Sequence, residues 1–314
     1  MKRNNSIKNT GEYNMTNTAH LQNQTIRETS NLLNTSTTMT VKLKRYLITV
    51  GILATVVYIM ALTVSEDLYG IVQFVPLAAA LGVIFSTDKN YKEIGWKWGK
   101  TKYQLLSDIL PAIMILSIYG IIWATGLGGY GDEEYLQMVR DDSGFDLSAT
   151  QVLLVTTLLN LTIGIPLLAI FAIGEEIGWR GLMVPEMYKT YGYTKTSLFS
   201  GIIWAVFHWP LVIFALQTDV DTPLAYRLLM VTIQAIALGF IFTWLRMKSG
   251  SVWTAVIFHT SLNLMTQGIV DQFTYDTGPT EYLIGEMGLF PAIAYGIVAL
   301  VVWFKRDLLN QTTS

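Results

Sequence analysis

Eight stretches of this chain, about 46–64, 68–86, 103–125, 149–174, 196–216, 224–245, 251–270 and 287–304, are apolar and almost free of charge. Each is near the length that crosses a bilayer core as a helix. In lipid, backbone amides must be satisfied within the spanning segment, which selects helices. A membrane β-barrel would instead show alternating segments about half as long. The expected fold is therefore an all-α polytopic membrane protein with about eight transmembrane helices. The fourth stretch extends toward residue 184 if its helix continues, and Pro166 is expected to bend it. The last stretch is short and interrupted by Pro291. Composition agrees: 14% of the 314 residues are charged and 52% are hydrophobic, against about 25% charged in soluble domains.

The loops test this count. With the N-terminus inside, all but two of the 21 basic residues, Arg140 and Arg227, fall on the inner side. Lys89, Lys92, Lys97, Lys100 and Lys102 cluster in one inner loop. The outer loops are acidic, as in Asp132 to Glu134 and Asp271 to Glu286. Basic residues concentrate on the cytoplasmic side of membrane proteins, so both termini are expected to be cytoplasmic. Trp96 and Trp98 among the lysines suit an interfacial segment. Residues 1–41, rich in Asn and Thr, are expected to form a disordered tail. The tail holds His20 and glycosylation patterns at Asn4, Asn23 and Asn34, which a cytoplasmic tail would not use. It is not read as a signal peptide, because the first apolar run starts near Tyr46 and is long. Residues 42–306 form the membrane domain, with a core of about 150–270, and 307–314 a short C-terminal tail. There is no cysteine, which excludes disulfides, thiolate nucleophiles and Cys-based metal sites. Nothing points to nucleic acid.

Ionisable groups inside a bilayer are rare and usually face a protein or water-filled interior. Here they are Glu175, Glu176 and Arg180 in GEEIGWRG, His208 in the fifth stretch, and His259 with Asn263 in the seventh. Glu176 and Arg180 stand at i,i+4 with the acid first, the better orientation for an intrahelical ion pair. Glu175 lies about 100° round the helix and has no basic residue at i+3 or i+4, where Gly178 and Trp179 stand. The spacing suggests a structural pair and a second carboxylate left for chemistry. His259 and Asn263 share one face. Counted from the inner ends, His259 lies about 12 Å deep, His208 about 18 Å and Glu175 about 13 Å, at roughly 1.5 Å per residue. This holds if the fourth helix runs through Val184. A helix ending at Gly174 would separate the groups. Taken singly, a buried histidine is most simply a helix–helix hydrogen bond, and Trp204, Trp209 and Trp253 are packing or interface residues. Together, a carboxylate, two imidazoles and an amide form a hydrolytic set.

These residues resemble the CPBP family of membrane proteins, also called Abi, which includes CAAX prenyl endopeptidases and bacteriocin-processing or bacteriocin-immunity proteins. Its motifs EExxxR, FxxxH and HxxxN correspond in order to Glu175-Glu176…Arg180, Trp204…His208 and His259…Asn263. Trp204 departs from the pattern, which has Phe. The resemblance covers about residues 150–270 and lies nearer the bacterial branch. It implies an intramembrane endopeptidase open to the cytoplasm, acting on a membrane-associated or hydrophobic peptide, with or without a lipid, within membrane lipid. On this basis Glu175 is expected to activate water with His208. His259 and Asn263 would stabilise the oxyanion, and Glu176 with Arg180 would orient Glu175. Glu175, His208 and His259 also make up a His₂Glu set of the kind that binds catalytic zinc. HExxH is absent, however, and one carboxylate does not easily serve as both ligand and base, so the metal-free route is preferred. With neither Cys nor GxSxG, a covalent acyl-enzyme is not expected. The competing readings are a non-catalytic scaffold or immunity protein on the same frame and, more remotely, a proton-coupled transporter.

Overall fold

The computed structural model describes residues 39–216 and 222–310. The expectations for the tail up to residue 38, including its glycosylation patterns and His20, lie outside the described residues, as do residues 311–314. The described residues from Thr40 onward form one compact unit.

All eight apolar stretches are helical. The first, α1 (Val41–Thr63), starts earlier than expected because the Thr40 hydroxyl accepts the Leu43 N–H and caps it. The second is broken. A 3-10 turn Glu66–Leu68 and a short α2 (Tyr69–Val72) meet α3 (Val75–Ser86) at a 47° bend. Pro76, second in α3, has no N–H to return to the Val72 carbonyl. A 3-10 turn, Tyr91–Ile94, leads to α4 (Thr101–Thr125), which stops at left-handed Gly126. Strand β1 (Gly129–Tyr130) is followed by α5 (Glu133–Ser143), capped by Asp132 and closed by Gly144.

The fourth and fifth stretches form one helical run, Ala149–Phe214. It comprises α6 (Ala149–Leu159), a π turn Asn160–Gly164, α7 (Ile165–Glu176), a second π turn Ile177–Met183 and α8 (Val184–Phe214). Each π turn runs into a proline at the second position of the next helix, Pro166 and Pro185. Loss of a proline N–H leaves an upstream carbonyl without its usual partner, and the wider turn lets the helix pass. Gly192, at φ 66° and ψ −175°, divides α8 into two helices, a conformation glycine adopts without a side-chain clash. Next come α9 (Leu224–Ser249) and α10 (Trp253–Asn263), prolonged by a π turn Leu264–Val270. Strand β2 (Thr274–Tyr275) pairs antiparallel with β1. The chain ends with α11 (Thr280–Leu283), α12 (Leu289–Phe304) and a 3-10 turn Arg306–Asn310. Pro291 lies in the first turn of α12, where an N–H has no helical partner to lose, so it starts this helix rather than interrupting it.

On length and composition alone, four of these helices can cross a membrane, and five if the bent pair is one span. The run Ala149–Phe214 holds two of the eight stretches, and α10 and α12 are shorter. The side-chain distribution is that of a membrane protein. Ile48, Ile52 and Ile59 on α1, Ile109, Ile113 and Leu116 on α4, and Leu158 and Leu161 on the α6 run are exposed. Gln104, Ser197, Ser200, Gln234 and Thr254 are buried. Contiguous apolar surface of this extent is not tolerated in water. The chain is an all-α polytopic membrane protein.

Helix α9 packs on α8 and α12, α10 on α4 and α7, and α3 on α1 and α7. Lys42 at the start of α1 pairs with Asp88 and Glu93 at 2.9 Å each. The Lys42 ammonium and the Asn90 N–H hold the exposed Asp88 carboxyl below its usual range. Small residues permit the closest approaches. A Cβ added at Gly178 would lie 2.4 Å from the Pro76 side chain and 2.5 Å from its backbone, whereas one at Gly51 meets nothing within 4 Å. Gly178→Ala should therefore lower the melting temperature of the detergent-purified protein by several degrees, while Gly51→Ala should leave it within a degree or two. Equal melting of the two variants would contradict this packing.

Candidate active site

The fourth helix does continue past Gly174, through the π turn Ile177–Met183. Glu175 and Glu176 thus end α7 inside the bundle, 3% and 0% exposed. Arg180, 1% exposed, lies one turn on and donates Nη1 to both Glu176 oxygens, at 2.9 and 3.0 Å. Its guanidinium is 4.1 Å from the Phe242 ring centre and 4.7 Å from that of Trp204. Among the described residues Nε and Nη2 have no hydrogen-bond partner, so these rings supply the rest of its surroundings. The i,i+4 pairing expected from sequence is present.

The π turn also sets the Arg180 backbone. In this register the Arg180 carbonyl would need the N–H of residue 185, which is proline. Arg246 of α9 supplies the missing donor, Nε to the Arg180 oxygen at 2.8 Å, and binds the Glu93 and Ile94 carbonyls through Nη2 at 3.0 and 3.3 Å. Arg246, counted in the sequence only among inner-side charges, is 6% exposed and part of the frame.

Glu175 has no basic neighbour on its own helix, yet it is not without partners. The Trp179 indole donates to Oε2 at 3.2 Å and the Trp204 indole donates to the same oxygen at 2.7 Å. Two neutral donors thus hold one oxygen. The other, Oε1, lies 3.7 Å from His208 Nε2, beyond direct hydrogen bonding. His208 Nδ1 is 2.9 Å from the Trp204 carbonyl. A carbonyl only accepts, so Nδ1 carries the hydrogen, and in the neutral ring the Nε2 lone pair faces Glu175. The imidazole is partly exposed, with 24% of its side-chain surface open. It borders a cavity of about 140 Å³ lined by Tyr58, Tyr69, Gln73, Phe207 and Leu211.

His259 is 3.0 Å from Glu176 Oε1 through Nδ1, so Glu176 faces both Arg180 and His259. Glu175, Glu176, Arg180, His208 and His259 therefore meet, from three separate helical segments. Asn263 ends α10 one turn beyond His259 and is half-buried. Among the described residues no hydrogen bond joins it to the other five. Trp204, expected to be simple packing, is instead central to the site: its ring also meets the His208 and His259 rings edge-on, at 5.6 and 5.7 Å between centres. Its position one turn before His208 was the available signal. For Phe242 and Arg246 the sequence offered none, because α9 carries no motif. Among the described residues, no group of three or more His, Asp or Glu side chains is arranged to hold a metal ion.

Removing one partner of a buried ion pair strands the other charge, at about 3–5 kcal/mol. Glu176→Gln should lose stability on that scale when unfolded in mixed micelles, and Glu175→Gln far less, since its donors are neutral. A reversed order would contradict the division between the two carboxylates.

Residues 155–265, which include all six site residues, match the family described as Type II CAAX prenyl endopeptidase Rce1-like. The chain is also similar to a CAAX prenyl protease 2 of Methanococcus maripaludis, 28% identical over 159 residues, covering 50% of this chain and 52% of that protein. The chain thus spans about half the length of this relative. Both comparisons bear out the resemblance to the CPBP family carried by the three motifs.

Proposed function

We propose that this protein is an intramembrane endopeptidase that cleaves a membrane-associated peptide or protein, with Glu175 activating the attacking water. The observation that carries this is the approach of Glu175 Oε1 and His208 Nε2 to 3.7 Å, with the second atom of each group already engaged. A water about 2.8 Å from each atom bridges that gap and donates one hydrogen to each. Its lone pairs then face the substrate. Glu175 takes a proton as the water oxygen bonds to the scissile carbonyl carbon. The C–N bond breaks and the proton passes from the Glu175 carboxyl to the leaving amine. His259 Nδ1–H is held by Glu176, so donation from Nε2 to the oxyanion requires a ring carrying both protons, and Glu176 is the anion facing that charge. The Asn263 amide is the second donor in this reading. The matched family and the protease-named relative support peptidase chemistry.

In this reading both termini are cytoplasmic. The asymmetry of basic residues supports that orientation. Two measurements test the proposal. New peptide termini in membranes expressing wild type should be missing with Glu175→Gln and with His208→Ala at equal expression. Identical termini would favour a non-catalytic scaffold. A reporter that is active only in the cytoplasm, fused after residue 314, should be active. A silent fusion with intact folding would reverse the topology.

A further inference from the structure

We infer that the indole N–H of Trp204 is a positioning group for the reaction: by holding Glu175 Oε2 it leaves Oε1 as the oxygen that meets water and His208. The inference rests on the endopeptidase reading and adds a residue that the motif pattern does not supply, since Phe at this place has a ring but no donor.

The geometry is specific. Trp204 is 8% exposed and lies one turn before His208 on α8, so the two side chains share a helix face. Its N–H reaches Oε2 at 2.7 Å, shorter than the 3.2 Å bond from Trp179. Its backbone carbonyl takes the His208 Nδ1 hydrogen at 2.9 Å. One residue therefore fixes both reacting partners, the carboxylate through its side chain and the imidazole tautomer through its main chain. A carboxylate held only by Trp179 can rotate about its last side-chain bond, which exchanges Oε1 with Oε2 or turns both from His208. The ring is itself fixed. Arg180 lies over its face at 4.7 Å, and Phe242 meets its edge with centres 5.8 Å apart. The buried ion pair thereby positions Glu175 through Trp204, without touching it.

Two replacements separate the N–H from the ring. Trp204→Phe keeps an aromatic ring, and benzothienylalanine at 204 keeps the bicyclic shape with sulfur in place of N–H. With a peptide that the wild type cleaves, both should lower kcat by about 10- to 100-fold, the range of a misplaced reacting group, and change KM less than twofold. 5-Fluorotryptophan, which retains the N–H, should restore kcat. Trp209→Phe, whose indole bonds Thr232 at 3.1 Å instead, should match wild type. In ultraviolet resonance Raman spectra, the wild-type minus Trp204→Phe difference should contain a strongly hydrogen-bonded indole N–H band that weakens in Glu175→Gln. Unchanged kcat for the benzothienyl protein, or a free indole band in that difference, would overturn the inference while leaving the peptidase standing. A wild type that cleaves nothing would remove the peptidase reading and this role with it, and the Raman band would still report whether the N–H bond exists.

Discussion

The arrangement depends on one buried cation. Arg180 is placed among apolar rings where an unpaired charge is not tolerated, and Glu176 is positioned within one helical turn to pair with it. That pairing fixes the sense of the two adjacent acids. Glu176 turns to Arg180 and to His259, and Glu175, about 100° away, turns toward α8. The same guanidinium orders Trp204 and Phe242 across its faces, and Arg246 holds the carbonyl that Pro185 deprives of a donor. Fold and site are thus linked at Arg180. Helices α7, α8, α9 and α10 each supply an atom to its surroundings, directly or through Glu176.

The π turn Ile177–Met183 is the second requirement. It lets one helix run past the membrane interior with proline at 185, and it brings Trp179 and Arg180 to bear on two successive carboxylates. Glycines at 174, 178 and 181 carry this segment against the bent second stretch and the turn at Ile94. GEEIGWRG is therefore a packing motif as well as a chemical one. Its glycines allow the close approach, and its acids, tryptophan and arginine fill the interior that results.

Much of this was legible in the sequence. Apolar stretches found the helices because lipid leaves the backbone few alternatives. The i,i+4 rule found the Glu176–Arg180 pair because it is local, and the isolation of polar residues in apolar stretches found His208 and His259. What stayed hidden was non-local or depended on register. Tryptophan in a membrane helix is ordinarily packing, so the donors to Glu175 could not be told from other indoles until α7 and α8 were juxtaposed. Arg246 looked like one more inner charge because its acceptor exists only once Pro185 has freed the Arg180 carbonyl. Pro291 looked like an interruption because position within a helix, not composition, decides what proline does. The bend within the second stretch was hidden because its apolar composition is continuous across it.

The central claim is that Glu175 delivers water and forms no bond to the substrate. It is tested most directly by a single turnover in H₂¹⁸O, using a peptide whose cleavage requires Glu175. Attack by water predicts that the new carboxyl terminus carries one ¹⁸O from the first turnover, with no label in the protein. A first-turnover product without ¹⁸O, and label recovered in the side chain of residue 175, would show that the carboxylate attacks the substrate itself, and would contradict the account.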